Sequence, residues 1–264
     1  MYEILVTTLA IAAIGLVCGI ALAIIAKKFA VKENPTVSAV EQALPGANCG
    51  GCGFAGCAAY AKAIVEDGSP INLCGPGGAQ TVEAVGQIMG QEAEAPEPVM
   101  AFIKCGGDRG AAKRRSQYNG VTDCGAAHVV AGGWKECQYG CLGFGSCARA
   151  CEYGAIAIHN GLAIVDPALC VGCGMCVTRC PRNLIEMVPV SHKIHVRCSS
   201  PEKGAIVRKL CSKGCIGCSM CVKMEGGVSM FMDRSLARVD YSKLPVAEPG
   251  VVAKCPVKCI IEHD

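Results

Sequence analysis

The run Cys170-x2-Cys173-x2-Cys176-x3-Cys180-Pro181 constrains this chain more than any other stretch. Three thiols at i, i+3 and i+6 let one loop wrap three corners of a metal–sulfide cube. A fourth cysteine followed by proline reaches a second cube held by another run. A chain built on such runs folds around inorganic clusters, with short strands and loops between the ligands. One-electron transfer is the chemistry such clusters support.

The 22 cysteines make up about 8% of the 264 residues, a density that in a secreted protein would mean a disulfide scaffold. The N-terminus points elsewhere. Met1-Tyr2-Glu3 lacks the basic start of a signal peptide, and no small-residue cleavage site follows the apolar run. Ile4 to Ala26 is free of charge and spans roughly 34 Å as a helix, enough for a bilayer core of about 30 Å. Residues 1–29 are therefore expected to be an uncleaved, single-pass anchor in the cell membrane, in contact with lipid. Lys27, Lys28 and Lys32 follow the span and only Glu3 precedes it, so the bulk of the chain is expected on the cytoplasmic side. Thiols there stay reduced, which favours metal clusters over disulfides. Gly15 and Gly19 are either a small face for a partner helix or simply the small residues common in membrane helices, and Cys18 lies inside the span, out of reach of the soluble sites. The formal charge of +3 gives no case for nucleic acid, because four cubes with thiolate ligands would bring the whole to about −5.

The expected fold class is α+β: the transmembrane helix, a small helical 4Fe-4S domain, then tandem ferredoxin-like units with short β-hairpins. A connector closes at Pro35. Residues 36–89 carry helical periodicity over Val37–Leu44, Ala58–Asp67 and Ala79–Met89. Residues 90–98 are acidic and proline-punctuated, a linker. Residues 99–190 form a first ferredoxin-like unit and 191–264 a second, degenerate one. Hairpins are expected for Ala155–Ile158 with Leu162–Val165 across Asn160-Gly161, and for Val228–Met232 with Leu236–Val239 across Asp233-Arg234-Ser235. The repeat is visible directly. Cys137 to Cys151 aligns without gaps to Cys211 to Glu225, and Phe102-Ile-Lys-Cys105 resembles His195-Val-Arg-Cys198.

Spacing then groups the ligands. Cys170, Cys173 and Cys176 take Cys151. Position 144, where the reciprocal set needs a cysteine, is Phe, so Cys137 is expected to join Cys141, Cys147 and Cys180. Should Cys137 not reach, a three-iron cluster or a non-cysteine ligand is the alternative. In the second unit Cys215, Cys218 and Cys221 take Cys255, while the partner set is replaced as a unit by Glu225, Pro245, Glu248 and Val251. The small domain offers Cys49, Cys52, Cys57 and Cys74 among glycines that leave backbone N–H groups free for cluster sulfurs. A structural zinc site is the alternative there. Cys105, Cys124, Cys198 and Cys211 are either a fifth cluster or four buried free thiols. Cys259 has no assignment. Four [4Fe–4S] clusters are expected, with a fifth open.

The anchor, Lys27-Lys-Phe-Ala-Val31, Asn48-Cys-Gly-Gly-Cys-Gly-Phe-Ala-Gly-Cys57 and the tandem cysteine loops together resemble the B-subunit family of the Rnf ion-translocating ferredoxin-linked oxidoreductase complex, over essentially the whole chain. The resemblance implies a cluster-bearing relay on the cytoplasmic face. It implies reduced ferredoxin or a similar low-potential donor, and other membrane and peripheral subunits of a Na⁺- or H⁺-translocating oxidoreductase as partners. No acid, base or nucleophile constellation and no dinucleotide fingerprint is present, so independent substrate chemistry is not expected. The span carries no charged residue, so translocation is expected of other subunits. Competing readings are the iron–sulfur subunit of another membrane redox complex, or a corrinoid-linked protein of carbon-monoxide metabolism, which shares the first motif. His128, His159, His192, His195 and His263 read as strand or surface residues. Lys113-Arg114-Arg115 reads as a solvated loop, and Trp134 as packing over a cluster edge.

Overall fold

A computed structural model of the chain describes residues 2–28, 34–243, 245 and 250–263. Lys32, most of the 27–31 segment and Glu248 lie outside the described residues. Helix α1 (Tyr2–Lys28) follows from an unbroken run of apolar residues without proline, and Val6–Ile25 is long and apolar enough to cross a membrane. The Thr7 and Thr8 hydroxyls donate to the Ile4 carbonyl, which keeps them satisfied on an apolar surface.

Three helices form the next layer. In α2 (Pro35–Ala43) the Asn34 side chain accepts from Thr36 N–H, and Pro35 opens the helix where no donor is needed. Helices α3 (Cys57–Asp67) and α4 (Gly78–Met89) each stop at a left-handed glycine, Gly68 and Gly90. Val40, Tyr60, Ile64 and Val85 form the core. The Tyr60 hydroxyl donates to the Pro70 carbonyl at 2.7 Å and accepts from Leu73 N–H at 3.0 Å, pinning the loop that delivers Cys74.

The remainder alternates short strands and turns of helix: β1 (Val99–Ile103), α5 (Cys124–Ala131), α6 (Ser146–Arg149), β2 (Ile156–His159), β3 (Leu162–Val165), α7 (Met175–Arg179) and β4 (Ile185–Pro189), then β5 (Ile194–Val196), α8 (Gly204–Leu210), α9 (Met220–Glu225), β6 (Met230–Asp233), β7 (Leu236–Val239), α10 (Gly250–Lys254) and β8 (Ile260–Glu262). All the strands pair in antiparallel twos. β1 pairs with β4, and β2 with β3 across Asn160 and Gly161, both at positive φ. β5 pairs with β8 and β6 with β7. The second hairpin turn is shorter than the spacing suggests. Asp233 pairs with Leu236, which leaves Arg234 and Ser235 as the turn because Arg234 takes φ +57°. Each long-range strand lies before one cysteine and pairs with the strand after a Cys-Pro, so the cysteine loops fill the space between. Phe102 of β1 stacks on His195 of β5 at 4.4 Å, and the Tyr241 hydroxyl meets His195 Nδ1 at 2.9 Å, sealing the two sheets together.

Candidate metal centres

The cysteine loops enclose four small cavities of similar size, each lined by at least four cysteines. Cys151, Cys170, Cys173 and Cys176 line one. Cys215, Cys218, Cys221 and Cys255 line another, with Cys259 among them. In the small domain the charges of Cys57, Cys52 and Cys49 all bear on Cys74, placing those four together at the start of α3 and in the loop held by Tyr60.

The other two cavities correct the grouping that spacing suggests. Cys124, not Cys137, joins Cys141, Cys147 and Cys180; Cys137, not Cys124, joins Cys105, Cys198 and Cys211. The reason is local. Asp123 caps α5 through Ala126 N–H and also accepts from the Ser146 hydroxyl at 2.7 Å, while Ser146 Oγ accepts from Cys124 N–H at 2.8 Å. The starts of α5 and α6 are thereby bolted together and Cys124 is set beside Cys147. Phe144, at the position lacking a thiol, packs against Tyr118 instead. The Cys137 loop is drawn away by Arg182, whose guanidinium donates to the carbonyls of Gly132, Cys137 and Gly140.

Burial pushes these thiols up. Cys147 is raised to about 12 by desolvation and then by the charges of Cys141, Cys124 and Cys180. Cys176 and Cys198 also reach about 12, and Cys221 about 11, with desolvation the main cause in each. Such crowded, desolvated thiols suit a cationic iron core, which deprotonates its ligands outright. The i, i+3, i+6 triplets of the ferredoxin-type runs suit a cube better than a single zinc ion. Backbone N–H groups of Ala101, Cys141 and Leu184 donate to the sulfurs of Cys170, Cys105 and Cys180 at 3.3–3.4 Å, the bonds that tune a cluster's potential.

Neighbouring centres touch. A Cβ on Gly51, between Cys49 and Cys52, would meet the Cys173 carbonyl oxygen at 2.7 Å. Cys147 and Cys176 share one core, which also takes in Cys105 and Cys141. Cys141 N–H donates to Cys105 Sγ, and Cys215 N–H bonds to Cys198 in the repeat-equivalent way. Where the second unit lacks its partner set, the Glu225 carboxylate accepts from Ser229 and Met230 N–H at 2.6 and 3.0 Å, and Val251 is buried in the core.

Spacing could not reveal the cations. Lys135 is buried with its ammonium on the Gly107 carbonyl, and Arg182 and Arg197 lie close enough to Cys105 and Cys141 to feel their charge. Cys259, Sγ 3.6 Å from Cys255 Sγ, also had no signature beyond its position. The sulfur contact with Cys259 holds the Cys255 thiol well below its usual range, to about 5, while the same contact and burial push Cys259 up. Trp134 lies one layer out from the centres, its Nε1 donating to the Leu142 carbonyl at 2.8 Å. Lys113 pairs with Glu136 at 3.0 Å in an exposed loop.

Comparison with known proteins follows the same division. Residues 44–76 match the model of a putative Fe-S cluster family, and residues 163–186 that of the 4Fe-4S binding domain. The chain is 44% identical, over 94% of its length and 88% of the relative, to the B subunit of the proton-translocating ferredoxin:NAD(+) oxidoreductase complex of Clostridium ljungdahlii. It is 40% identical, over 98% and 99%, to the B subunit of the ion-translocating oxidoreductase complex of Methanosarcina acetivorans. To the B subunit of the Na(+)-translocating ferredoxin:NAD(+) oxidoreductase complex of Acetobacterium woodii it is 42% identical, over 93% and 74%.

Proposed function

We infer that this chain, which belongs to the B-subunit family of ion-translocating ferredoxin-linked oxidoreductase complexes, relays electrons through five [4Fe–4S] centres arranged in single file. The proposed ligand sets, in order, are Cys49, Cys52, Cys57 and Cys74 for centre I, and Cys151, Cys170, Cys173 and Cys176 for centre II. Centre III takes Cys124, Cys141, Cys147 and Cys180, and centre IV Cys105, Cys137, Cys198 and Cys211. Centre V takes Cys215, Cys218, Cys221 and Cys255. The observation that carries this is the succession of cysteine groups, each touching the next through a ligand or the residue beside one.

Such clusters supply reversible one-electron redox chemistry when bound. The protein's own groups set its terms. The apolar walls exclude water, N–H groups donate to sulfur, and Lys135, Arg182 and Arg197 place positive charge beside centres III and IV, which favours the reduced state there. We place centres II to V in two tandem ferredoxin-like units, the second degenerate, with IV shared between them. Helix α1 anchors the chain by a single pass in the lipid, with the centres on the cytoplasmic side by the rule that Lys27 and Lys28 follow. Reduced ferredoxin, or a similar low-potential protein, is the proposed donor, and other subunits carry the ion across.

The test is anaerobic purification of the full chain, iron and sulfide analysis, and EPR after reduction. About 20 Fe per chain is expected, five cubes of four. About 16 would remove one of the five centres from the proposal, and a colourless zinc protein would remove all of it. Stopped-flow mixing with reduced ferredoxin should bleach the cluster absorbance.

A further inference from the structure

The turn that follows three of the ligands is one turn used three times. After Cys151, Cys180 and Cys255 the residue three places on is left-handed: Gly154 at φ +65°, Asn183 at +50° and Lys258 at +50°. Its N–H returns to the ligand's own carbonyl at 3.4, 3.2 and 3.1 Å respectively. The turn lays the next residue against the cavity, and these are Ala155, Leu184 and Cys259. Two of the three are plain apolar wall. The third is a thiol.

Cys259 is 2% exposed and held from both sides. Arg197 N–H donates to its carbonyl at 2.7 Å, and its own N–H bonds to Cys255, as Leu184 N–H does to Cys180. Lysine in the left-handed region carries a backbone cost that glycine or asparagine largely avoids, yet Lys258 adopts it to complete the turn. The outcome is five thiols facing a centre that has four corners, with the fifth sulfur 3.6 Å from Cys255 Sγ.

We propose that Cys259 is a reserve ligand of centre V, able to take the corner of Cys255 when that ligand is lost. This rests on centre V holding a cluster. An iron–sulfur bond to Cys259 Sγ forms where the bond to Cys255 Sγ would have been, and the Cys259 thiol proton leaves to solvent, as it does for any cysteine that becomes a metal ligand. The sulfur has to travel no farther than the gap between the two thiols, which a change of the χ1 rotamer and a small shift of the turn can provide. Centre III has no such reserve, because Leu184 stands at the equivalent place.

The test uses the full chain, with iron, sulfide and EPR measured for Cys255→Ala, Cys259→Ala, the double variant, and Cys180→Ala as the comparison without a reserve. Cys255→Ala and Cys259→Ala should each keep about 20 Fe, whereas the double variant and Cys180→Ala should fall to about 16. Cys255→Ala should also keep its centre V signal with altered g-values. If Cys255→Ala falls as far as the double variant, the reserve role is wrong. If the double variant keeps its full iron, centre V itself is wrong. Repeating the pair with Cys255→Val guards against a void that unfolds the loop.

Discussion

Exchanging the partners of Cys141 separates the spatial grouping from the one that spacing suggests. Cys124 shares a cavity with Cys141, Cys147 and Cys180, and Cys137 does not. Removing either residue alone should cost one cube, about 4 of about 20 Fe, so single variants cannot discriminate. Pairs can. Cys124→Ala with Cys141→Ala strikes one centre twice, and iron should stop near 16. Cys137→Ala with Cys141→Ala strikes two centres, and iron should fall to about 12. Such coupling within a site and additivity between sites is the logic of a double-mutant cycle. EPR of the reduced protein should agree, with one signal disturbed in the first pair and two in the second. Cys18→Ala, in the apolar helix, sets the undisturbed level. If Cys137 with Cys141 behaves as one site and Cys124 with Cys141 as two, the cavity assignment is refuted.

Gly51→Val should keep about 20 Fe but lower stability by about 1–3 kcal/mol, because its side chain meets the Cys173 carbonyl oxygen; an unchanged Tm would mean centres I and II do not abut there. Arg182→Leu leaves three loop carbonyls without their donor and should cost about 3 kcal/mol in a denaturant titration. It should also move the potential of centre IV downward by removing positive charge beside Cys137 and Cys105, and an upward shift would contradict that. His195 is kept neutral by burial, first, and by His263 and His192, its pKa falling to about 4. The unfolded chain therefore binds the proton first, and stability present above pH 6.5 is lost as pH falls toward 4, by about 3 kcal/mol in all. His195→Leu should flatten that limb of the stability curve; an equally steep limb would place the acid sensitivity elsewhere.

Legibility varied with range. The apolar run that forms α1 is a property of consecutive residues, and the turn at Asn160-Gly161 is fixed by two residues that tolerate positive φ. The β1–β4 and β5–β8 pairings join segments far apart in the chain, and no local pattern states them. The Cys124 and Cys137 exchange is the instructive case. Nearness in sequence favoured Cys137, one helical turn before Cys141. What decided the matter was a cap shared between two helices, Asp123 to Ser146, together with the reach of Arg182, both long-range polar contacts. Yet one signal was available. The gapless repeat aligns Cys137 with Cys211 and a separate upstream segment matches Cys105 with Cys198, so a centre built from equivalent residues of both copies had to contain Cys137.

That equivalence also explains which cluster the chain could lose. In the proposed assignment centre IV takes Cys105 and Cys137 from one copy and Cys198 and Cys211 from the other, which puts it at the middle of a pseudo-symmetric arrangement. Cys141 N–H reaches Cys105 on one side, and Cys215 N–H reaches Cys198 on the other. In the proposed order, centres III and V therefore flank IV in the same way, and centre II flanks III. The counterpart of II would flank V at the far end, and this is the set replaced by Glu225, Pro245, Glu248 and Val251. A single file has no bypass, so loss of any interior centre would interrupt it, whereas loss of an end centre only shortens it. With that end gone, Glu225 uses its carboxylate to satisfy the N–H groups of Ser229 and Met230, and Cys218 of centre V is left exposed. In the proposed order, the absence of that set from the second copy is tolerable for a topological reason. The matching deletion in the first copy, removing centre II, would cut centre I off from all the others.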